Sequence, residues 1–215
     1  MTTRVVVADD HDLVRVGLVR MLEDINDIDV IGEAASGEEA VQHARNLEPD
    51  VIVMDVKMPG IGGIEATRKI TAQYPNTKIV AVSALDDAPF PQRLLKAGAM
   101  AYLTKGAEIS EMVTAIKHAV CGKQYLSPQI AQQMALSSVN PDHDNPFDQL
   151  SERELQICMM VINCEKVQDI SDKLCLSSKT VNSYRYRIFE KLDITGDVEL
   201  TRLAIRHGLI EPEDV

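Results

Sequence analysis

Residues 51–60 read Val51-Ile52-Val53-Met54-Asp55-Val56-Lys57-Met58-Pro59-Gly60. The apolar run before Asp55 is too short for a helix and is mostly β-branched, so it predicts a strand. Its continuous apolar character, without alternation, predicts a strand covered on both faces, as in a parallel sheet between helices. A carboxylate closes the run, and Pro59-Gly60 then breaks it. The strand therefore delivers Asp55 to the carboxyl edge of a sheet, where open α/β sheets bind their ligands.

Working outward from this strand, similar short runs recur with helical periods between them. Val5-Val6-Val7-Ala8 predicts strand one, and Leu13, Val14, Gly17, Leu18, Met21, Leu22 and Ile25 fall near one face of the helix that follows. Val30-Ile31-Gly32-Glu33-Ala34 predicts strand two, and Ser36 precedes a helix that turns Ala40, Val41 and Ala44 inward. After Gly62-Gly63 a helix carries Ile64, Thr67 and Ile70. Ile79-Val80-Ala81-Val82 predicts strand four and Ala101-Tyr102-Leu103 strand five, with Leu94-Leu95 on the helix between them. A last helix carries Met112, Val113, Ile116, Ala119 and Val120. Alternating βα units of this kind predict an α/β fold with a five-stranded doubly wound parallel sheet.

The pattern changes after residue 126. Pro128 to Leu136 reads as helical, and residues 137–149 are polar with two prolines, the composition of a linker. No strand-like alternation returns. Ser151-Glu152-Arg153-Glu154 is an S-x-x-E capping box opening a helix with Leu155, Ile157, Met160 and Val161. Short helices follow at about 167–174, 178–192 and 197–207. The expected organisation is residues 1–125 as one domain, 126–148 as a linker with a helical start, and 149–215 as a small all-α four-helix domain. The second and third of these helices, joined by a tight turn at Cys175-Leu176-Ser177, have helix-turn-helix proportions.

Composition narrows the function. The chain has 215 residues and a net charge of −11, with net −5 over 1–126, −3 over 127–149 and −3 over 150–215. Non-specific nucleic-acid binding over the whole surface is therefore excluded, but one local basic face is not. Residues 179–191 supply that face: Lys179, Arg185, Arg187 and Lys191 stand against Glu190 alone, while acids such as Glu211, Glu213 and Asp214 sit elsewhere. On a helix entering the major groove, Lys and Arg contact phosphates, and Asn and Tyr reach base edges. The plainer reading is an amphipathic helix with a solvated basic face. The four cysteines form no CxxC pair and no metal spacing, which predicts reduced thiols of the often-buried kind. No apolar run approaches the length of a membrane span, and the N-terminus lacks a signal-peptide pattern, so the expectation is a soluble, cytoplasmic protein without membrane contact.

The first half brings Asp9, Asp10, Asp55, Ser83 and Lys105 to four strand ends on one edge. Three carboxylates in one pocket repel one another and favour a hard divalent cation, for which Mg²⁺ is the natural choice. A carboxylate is also a nucleophile towards phosphorus, and a cation with a lysine would neutralise charge on the transferring group. Taken singly, Asp9 and Asp10 read equally well as helix caps and Lys105 as a solvated charge.

The quintet, with Met58-Pro59-Gly60 after Asp55, resembles the receiver domain of two-component response regulators, a flavodoxin-like fold, over about residues 4–122. The resemblance implies that Asp55 accepts a phosphoryl group from a sensor histidine kinase or phosphotransfer protein. It implies that Asp9, Asp10, Asp55 and the backbone carbonyl of Lys57 bind Mg²⁺. Lys105 would pair with the phosphoryl group, Ser83 would close over it, and Tyr102 would turn inward behind it as a switch. Ser83 stands where many relatives carry threonine. For Tyr102, ordinary strand packing with a surface hydroxyl is an equal alternative.

Residues 148–210, through Leu150-Ser151-Glu152-Arg153-Glu154, Ile170-Ser171-Asp172-Lys173-Leu174-Cys175-Leu176-Ser177, Lys179-Thr180-Val181 and Lys191-Leu192, resemble the DNA-binding domain of the NarL/FixJ and LuxR families. That resemblance implies that Asn182, Ser183 and Tyr186 face bases, and that Lys179, Arg185 and Arg187 contact phosphates. It implies a dimerisation helix near Val198 to Ile205 and a homodimer when phosphorylated. Asn163-Cys164-Glu165 departs from the family, whose members usually carry a glycine there, which leaves that turn's geometry open. Ala131-Gln132-Gln133-Met134-Ala135-Leu136-Ser137, Val181-Asn182-Ser183-Tyr184-Arg185-Tyr186-Arg187 and Asp197-Val198-Glu199-Leu200-Thr201 resemble the GacA/UvrY/SirA type. That type implies a BarA/GacS-like kinase upstream and genes for small regulatory RNAs downstream.

Two readings from other classes compete. A Mg²⁺-dependent phosphatase with Asp55 as nucleophile would need an acid to protonate the leaving group, and the position two residues on is Lys57. A ligand-sensing LuxR-type regulator would share the C-terminal helices but has no reason to hold the quintet.

Overall fold

The computed structural model describes residues 2–83, 90–139, 145–207 and 209; of Glu152 and residues 137–139 it describes the backbone alone. Residues 140–144 of the expected linker, and the acids Glu211, Glu213 and Asp214, lie outside this set. The chain divides into two compact units, with the division between Ala135 and Leu136. Among the described residues no helix is long and apolar enough to cross a membrane.

The first unit is built on strands β1 (Thr3–Ala8), β2 (Ile28–Ala34), β3 (Val51–Asp55), β4 (Lys78–Ser83), β5 (Ala101–Thr104) and β6 (Tyr125–Leu126). All pairings are parallel and the order is β2-β1-β3-β4-β5-β6. Helices α1 (Asp12–Glu23), α2 (Gly37–Leu47), α3 (Gly62–Gln73), α4 (Phe90–Lys96) and α5 (Ile109–Val120) connect the first five strands and follow the fifth. Val5, Val7, Val51, Val53, Val80, Val82 and Leu103 form one apolar layer with Leu22 of α1 and Met112, Ala115, Ile116 and Ala119 of α5. Alternation sends Val6, Ile52, Met54, Ile79, Ala81 and Tyr102 to the opposite face, where they too are fully buried. β3 and the inner stretches of β1, β4 and β5 are apolar because both faces are covered, while the edge strand β2 carries Asp29 and Glu33 and is only partly buried.

The sheet has six strands where the sequence predicts five. Tyr125 and Leu126 pair with Ala101 and Tyr102 of β5. Two residues after a glycine turn carry no periodicity, so only the open edge of β5, which needs partners for its backbone groups, calls the pair into the sheet. Strand order reverses between β1 and β3, and the loops leaving those two strands diverge to opposite faces. The crevice they leave holds Asp9, Asp10 and Asp55.

Helix α6 (Pro128–Val139) follows β6, with Ile130 fully buried, and the division between the two units falls within it. The second unit contains a 3-10 turn (Pro146–Gln149) and helices α7 (Glu152–Ile162), α8 (Val167–Lys173), α9 (Ser178–Leu192) and α10 (Asp197–Arg206). The capping box at α7 forms as expected, with Ser151 Oγ accepting from Glu154 N–H and Glu154 accepting from Ser151 N–H. Its buried core includes Phe147, Leu155, Ile157, Ile170, Val181, Ile188, Leu200 and Ala204. Glu154 is buried there, taking the Lys191 ammonium at 2.6 Å. Burial alone would raise its pKa, but Lys191 and the Ser151 hydrogen bonds outweigh it and hold the carboxyl below its ordinary value.

The cysteines are all unpaired, and one expectation about them fails. Cys158 is buried, its thiol pushed up to about 12 by desolvation, but Cys121, Cys164 and Cys175 are exposed. Cys164 (φ 58°) and Cys175 (φ 51°) sit at the helix ends in the left-handed region. That settles the turn at Asn163-Cys164-Glu165: the backbone keeps the left-handed conformation that suits glycine, and cysteine is forced into it.

Candidate functional site

Asp9 and Asp55 are 2 % and 3 % exposed, and Lys105 Nζ lies 2.9 Å from an oxygen of each. The lysine arrives from the far end of β5, and its backbone N–H donates to Ser83 O, which locks the two strand ends together. One ammonium thus bridges two carboxylates brought from strands that are neighbours in the sheet but far apart in sequence, and leaves the trio with a net negative charge. Desolvation raises the Asp55 carboxyl above its ordinary value, against the lowering effect of Lys105. Burial works to lower Lys105, yet its hydrogen bonds to Asp9 and Asp55 carry it above the usual lysine range. The pocket holds a permanent cation beside a carboxylate that burial has made more basic, and basicity favours nucleophilic attack.

The loops around this pair are held rigidly. Asp55 Oδ1 accepts from Lys57 N–H at 3.3 Å, and Gly63 N–H returns to Val56 O at 3.0 Å. A Cβ on Gly63 would stand 2.1 Å from Asp55 O, so this position admits no side chain without moving the strand end itself. On the other side Arg15, whose side chain is 13 % exposed, donates to Asp9 O at 2.7 Å, Asp12 Oδ1 at 2.5 Å and Glu33 Oε2 at 3.2 Å. It ties the β1–α1 loop to the end of β2. The sequence reading passes over Arg15, whose only signal is a basic residue one turn after an acidic pair.

Ser83 is 1 % exposed at the end of β4, and Tyr102 is fully buried on β5. The surface alternative for Tyr102 is therefore excluded: β6 has added a strand outside it, and the ring lies inside the sheet's second face. Lys57 is exposed two residues beyond the end of β3, and its backbone N–H donates to Asp55 Oδ1.

A single ligand atom from each of Asp9, Asp10, His11 and Asp55 lies within 4.8 Å of the others. Asp10 Oδ1 is buried without a hydrogen-bond partner. Hard oxygen donors at this spacing, one of them unsatisfied, fit a small divalent cation.

In the second unit α9 presents Lys179, Ser183, Tyr186 and Arg187 on one exposed face, with Tyr186 72 % exposed. Lys179, Thr180, Ser183, Tyr184 and Arg187 line a shallow cleft of about 300 Å³ on it. Two expected contact residues sit differently. Arg185 is 22 % exposed, paired with Asp197 of α10 at 2.5 Å and stacked near Phe189. Asn182 accepts from Arg185 Nη1 at 3.2 Å. Both belong to the joint between α9 and α10 as the structure stands.

The response regulator receiver domain family matches residues 5–117, and the luxR family of bacterial regulatory proteins matches residues 148–204. This chain belongs to the LuxR-type two-component response regulators. It is a transcriptional regulator controlled by phosphorylation of its receiver. The response regulator GacA of Pseudomonas protegens is 61 % identical over 208 residues, covering 97 % of this chain and 98 % of that protein. The response regulator UvrY of Escherichia coli K12 is 53 % identical over 210 residues, covering 97 % and 96 %. Among solved structures, a LuxR-family response regulator from Aurantimonas sp. SI85-9A1 superposes with a TM-score of 0.62 at 37 % identity, covering 65 % of this chain and 99 % of that one. The fold also matches RcsB of Salmonella enterica serovar Typhimurium, solved on promoter rprA with the phosphomimetic BeF3-, with a TM-score of 0.68, 21 % identity and coverage of 94 % and 98 %. Within this response regulator the structure brings Asp9, Asp10, Asp55 and Lys105 together directly.

Proposed function

We propose that Asp55 is the phosphoacceptor of this regulator. The observation that carries the reading is Lys105 Nζ held at 2.9 Å from both Asp55 and Asp9 inside a buried pocket. A carboxylate oxygen of Asp55 attacks the phosphorus of a phosphohistidine. The new O–P bond replaces the N–P bond, and the leaving imidazole keeps the electron pair. Lys105 loses one carboxylate partner as Asp55 becomes an acyl phosphate and turns its charge to the phosphoryl oxygens. Ser83, on the neighbouring strand end, hydrogen-bonds the product, and Tyr102 packs behind it in the switched state. Such a group shifts a two-state equilibrium only through contacts that differ between the states, and Ser83 and Lys105 supply them.

Mg²⁺ fits the pocket, with Asp9, Asp10, Asp55 and the Lys57 carbonyl as its holders; bound, it would screen the negative charge that gathers on the transferring group. The donor is a sensor histidine kinase or phosphotransfer protein of the BarA/GacS kind. Leu13, 88 % exposed, and Val16, 45 % exposed, lie on α1 directly after the pocket and give such a protein an apolar footing. The regulator works in the cytoplasm and turns over no separate substrate.

The output is DNA binding through Lys179, Ser183, Tyr186 and Arg187, with Asn182 and Arg185 reaching DNA only after their joint to Asp197 opens. Phosphorylation promotes a homodimer, and Val198 on α10, 68 % exposed, gives it an apolar contact. The regulated genes are those of small regulatory RNAs. Labelling by a small acyl phosphate, with and without Mg²⁺, on wild type and Asp55→Asn, tests the reading with DNA binding followed in the same samples. Mg²⁺-dependent labelling that the variant loses, with tighter DNA binding when labelled, is expected. Labelling that survives in the variant overturns it.

A further inference from the structure

His11 directly follows Asp9 and Asp10 and occupies the N-cap position of α1, yet its side chain makes no capping hydrogen bond. The ring instead turns back to the pocket. Nδ1 lies 2.9 Å from Asp10 Oδ1 and 3.3 Å from Asp9 Oδ1. The 2.9 Å approach lacks hydrogen-bond alignment, since Asp10 Oδ1 is buried with no hydrogen-bond partner. Two ligands held about 2.1 Å from one cation at a right angle stand about 3 Å apart. The His11–Asp10 pair therefore has the bite of a chelate. The pocket also has two chemically different sides: Lys105 holds Asp9 Oδ2 and Asp55 Oδ2, whereas His11 adjoins Asp9 Oδ1 and Asp10 Oδ1.

The geometry points to His11 Nδ1 as a nitrogen ligand that makes this pocket a mixed oxygen–nitrogen site for late first-row divalent cations of the Co²⁺, Ni²⁺ and Zn²⁺ class, in competition with Mg²⁺. This rests on the acidic cation pocket proposed above. Carboxylates and water suit Mg²⁺, while imidazole suits the later metals, whose affinity climbs along the series. An all-oxygen pocket discriminates weakly between these ions. One imidazole tilts it towards the borderline metals, and such an ion would occupy the place that phosphoryl transfer requires. His11 is 63 % exposed, so its ring is open to an arriving ion.

The test uses the full chain without an affinity tag. Mg²⁺ and Ni²⁺ dissociation constants are measured by calorimetry for wild type, His11→Ala and His11→Gln, counting only Ni²⁺ that Mg²⁺ displaces, because the chain's four other histidines offer separate sites. In parallel, pulsed electron paramagnetic resonance of bound Mn²⁺ reads nitrogen coupling. The expected result is a loss of Ni²⁺ affinity of about tenfold or more in both variants, with Mg²⁺ affinity changed less than about twofold. Nitrogen coupling should be present in wild type and absent in both variants. Mg²⁺ binding by wild type without nitrogen coupling in the Mn²⁺ form overturns the His11 assignment alone and leaves the acidic pocket standing. Equal losses for Ni²⁺ and Mg²⁺ overturn it too, since His11 would then only shape the loop. Failure of wild type to bind Mg²⁺ would remove the acidic-pocket reading and this inference together.

Discussion

The two units solve opposite problems with charge. In the receiver the working groups are buried: Asp9 and Asp55 have almost no exposure, and one lysine reaches both. In the helical unit Lys179, Ser183, Tyr186 and Arg187 are exposed to solvent on α9, and the charges that are buried or tied, Glu154 with Lys191 and Arg185 with Asp197, hold helices together. Bond-making needs desolvated, fixed groups whose basicity the surroundings can raise. Binding a polyanion needs solvated groups that give up water and counterions to it. Burial therefore marks function in one half and architecture in the other.

The sharpest way to break this comparison is Asp55→Asn. Labelling by an acyl phosphate should fall to background, while folding stability rises by about 1 kcal/mol because a buried carboxylate has been replaced by a neutral amide. A functional site that stabilises when disarmed is what the receiver half requires, and thermal denaturation beside the labelling assay reads both. A lower melting temperature would mean Asp55 is structural.

Arg185 and Arg187 separate the two roles within one helix. Arg187→Ala should weaken DNA binding roughly fivefold and lower the salt slope by about 1, with little change in melting temperature. Arg185→Ala should instead cost about 0.5–1 kcal/mol of folding stability, because half-exposed Asp197 loses its partner at the α9–α10 joint. Isothermal denaturation and DNA titrations at several salt concentrations would show the reverse if Arg185, and not Arg187, were the main phosphate contact.

Acid should act on the two halves with opposite sign. Asp55 keeps its proton to higher pH folded than unfolded, so its ionisation costs stability, and that cost sets in as pH rises through the folded value. Glu154 is held below its ordinary value, so its contribution is in place above that value and is lost as pH falls through the folded one. Glu154→Gln should cost about 1–2 kcal/mol near neutral pH and nothing in acid. Melting curves from neutral pH down to about 3 would expose a cost that persists in acid, which the ion pair does not allow. The smallest effect is at Cys164, where Cys164→Gly should add about 0.5–1 kcal/mol by relieving the left-handed backbone; a loss would mean the thiol's own contacts matter more.

The same contrast explains what could be read from the residues alone. Strands that are apolar on both faces announce themselves, and a charge that ends such a strand must lie at the sheet's edge; hence Asp9, Asp55, Ser83 and Lys105 were legible. Tyr125-Leu126 was not, because a two-residue strand has no period and forms only in response to the edge it covers. The capping box at Ser151 is a local signal and was legible. The Arg185–Asp197 pair joins different helices across a turn, and on a helical wheel Arg185 is indistinguishable from an arginine facing DNA. Arg15 and His11 escaped for a related reason: their partners are a backbone carbonyl and a neighbouring carboxylate, neither visible in a pattern of polarity.

The sixth strand bears on how the receiver could be excised and studied alone. The receiver family spans residues 5–117, and a fragment cut at its end would stop short of Tyr125 and Leu126. The ladder of β5 at Ala101 and Tyr102 would then lie open. An uncovered, apolar parallel edge is a template on which a second molecule can add its own strand. Self-association of such a fragment would be a product of the cut, and its oligomeric state would say nothing about how the intact regulator pairs.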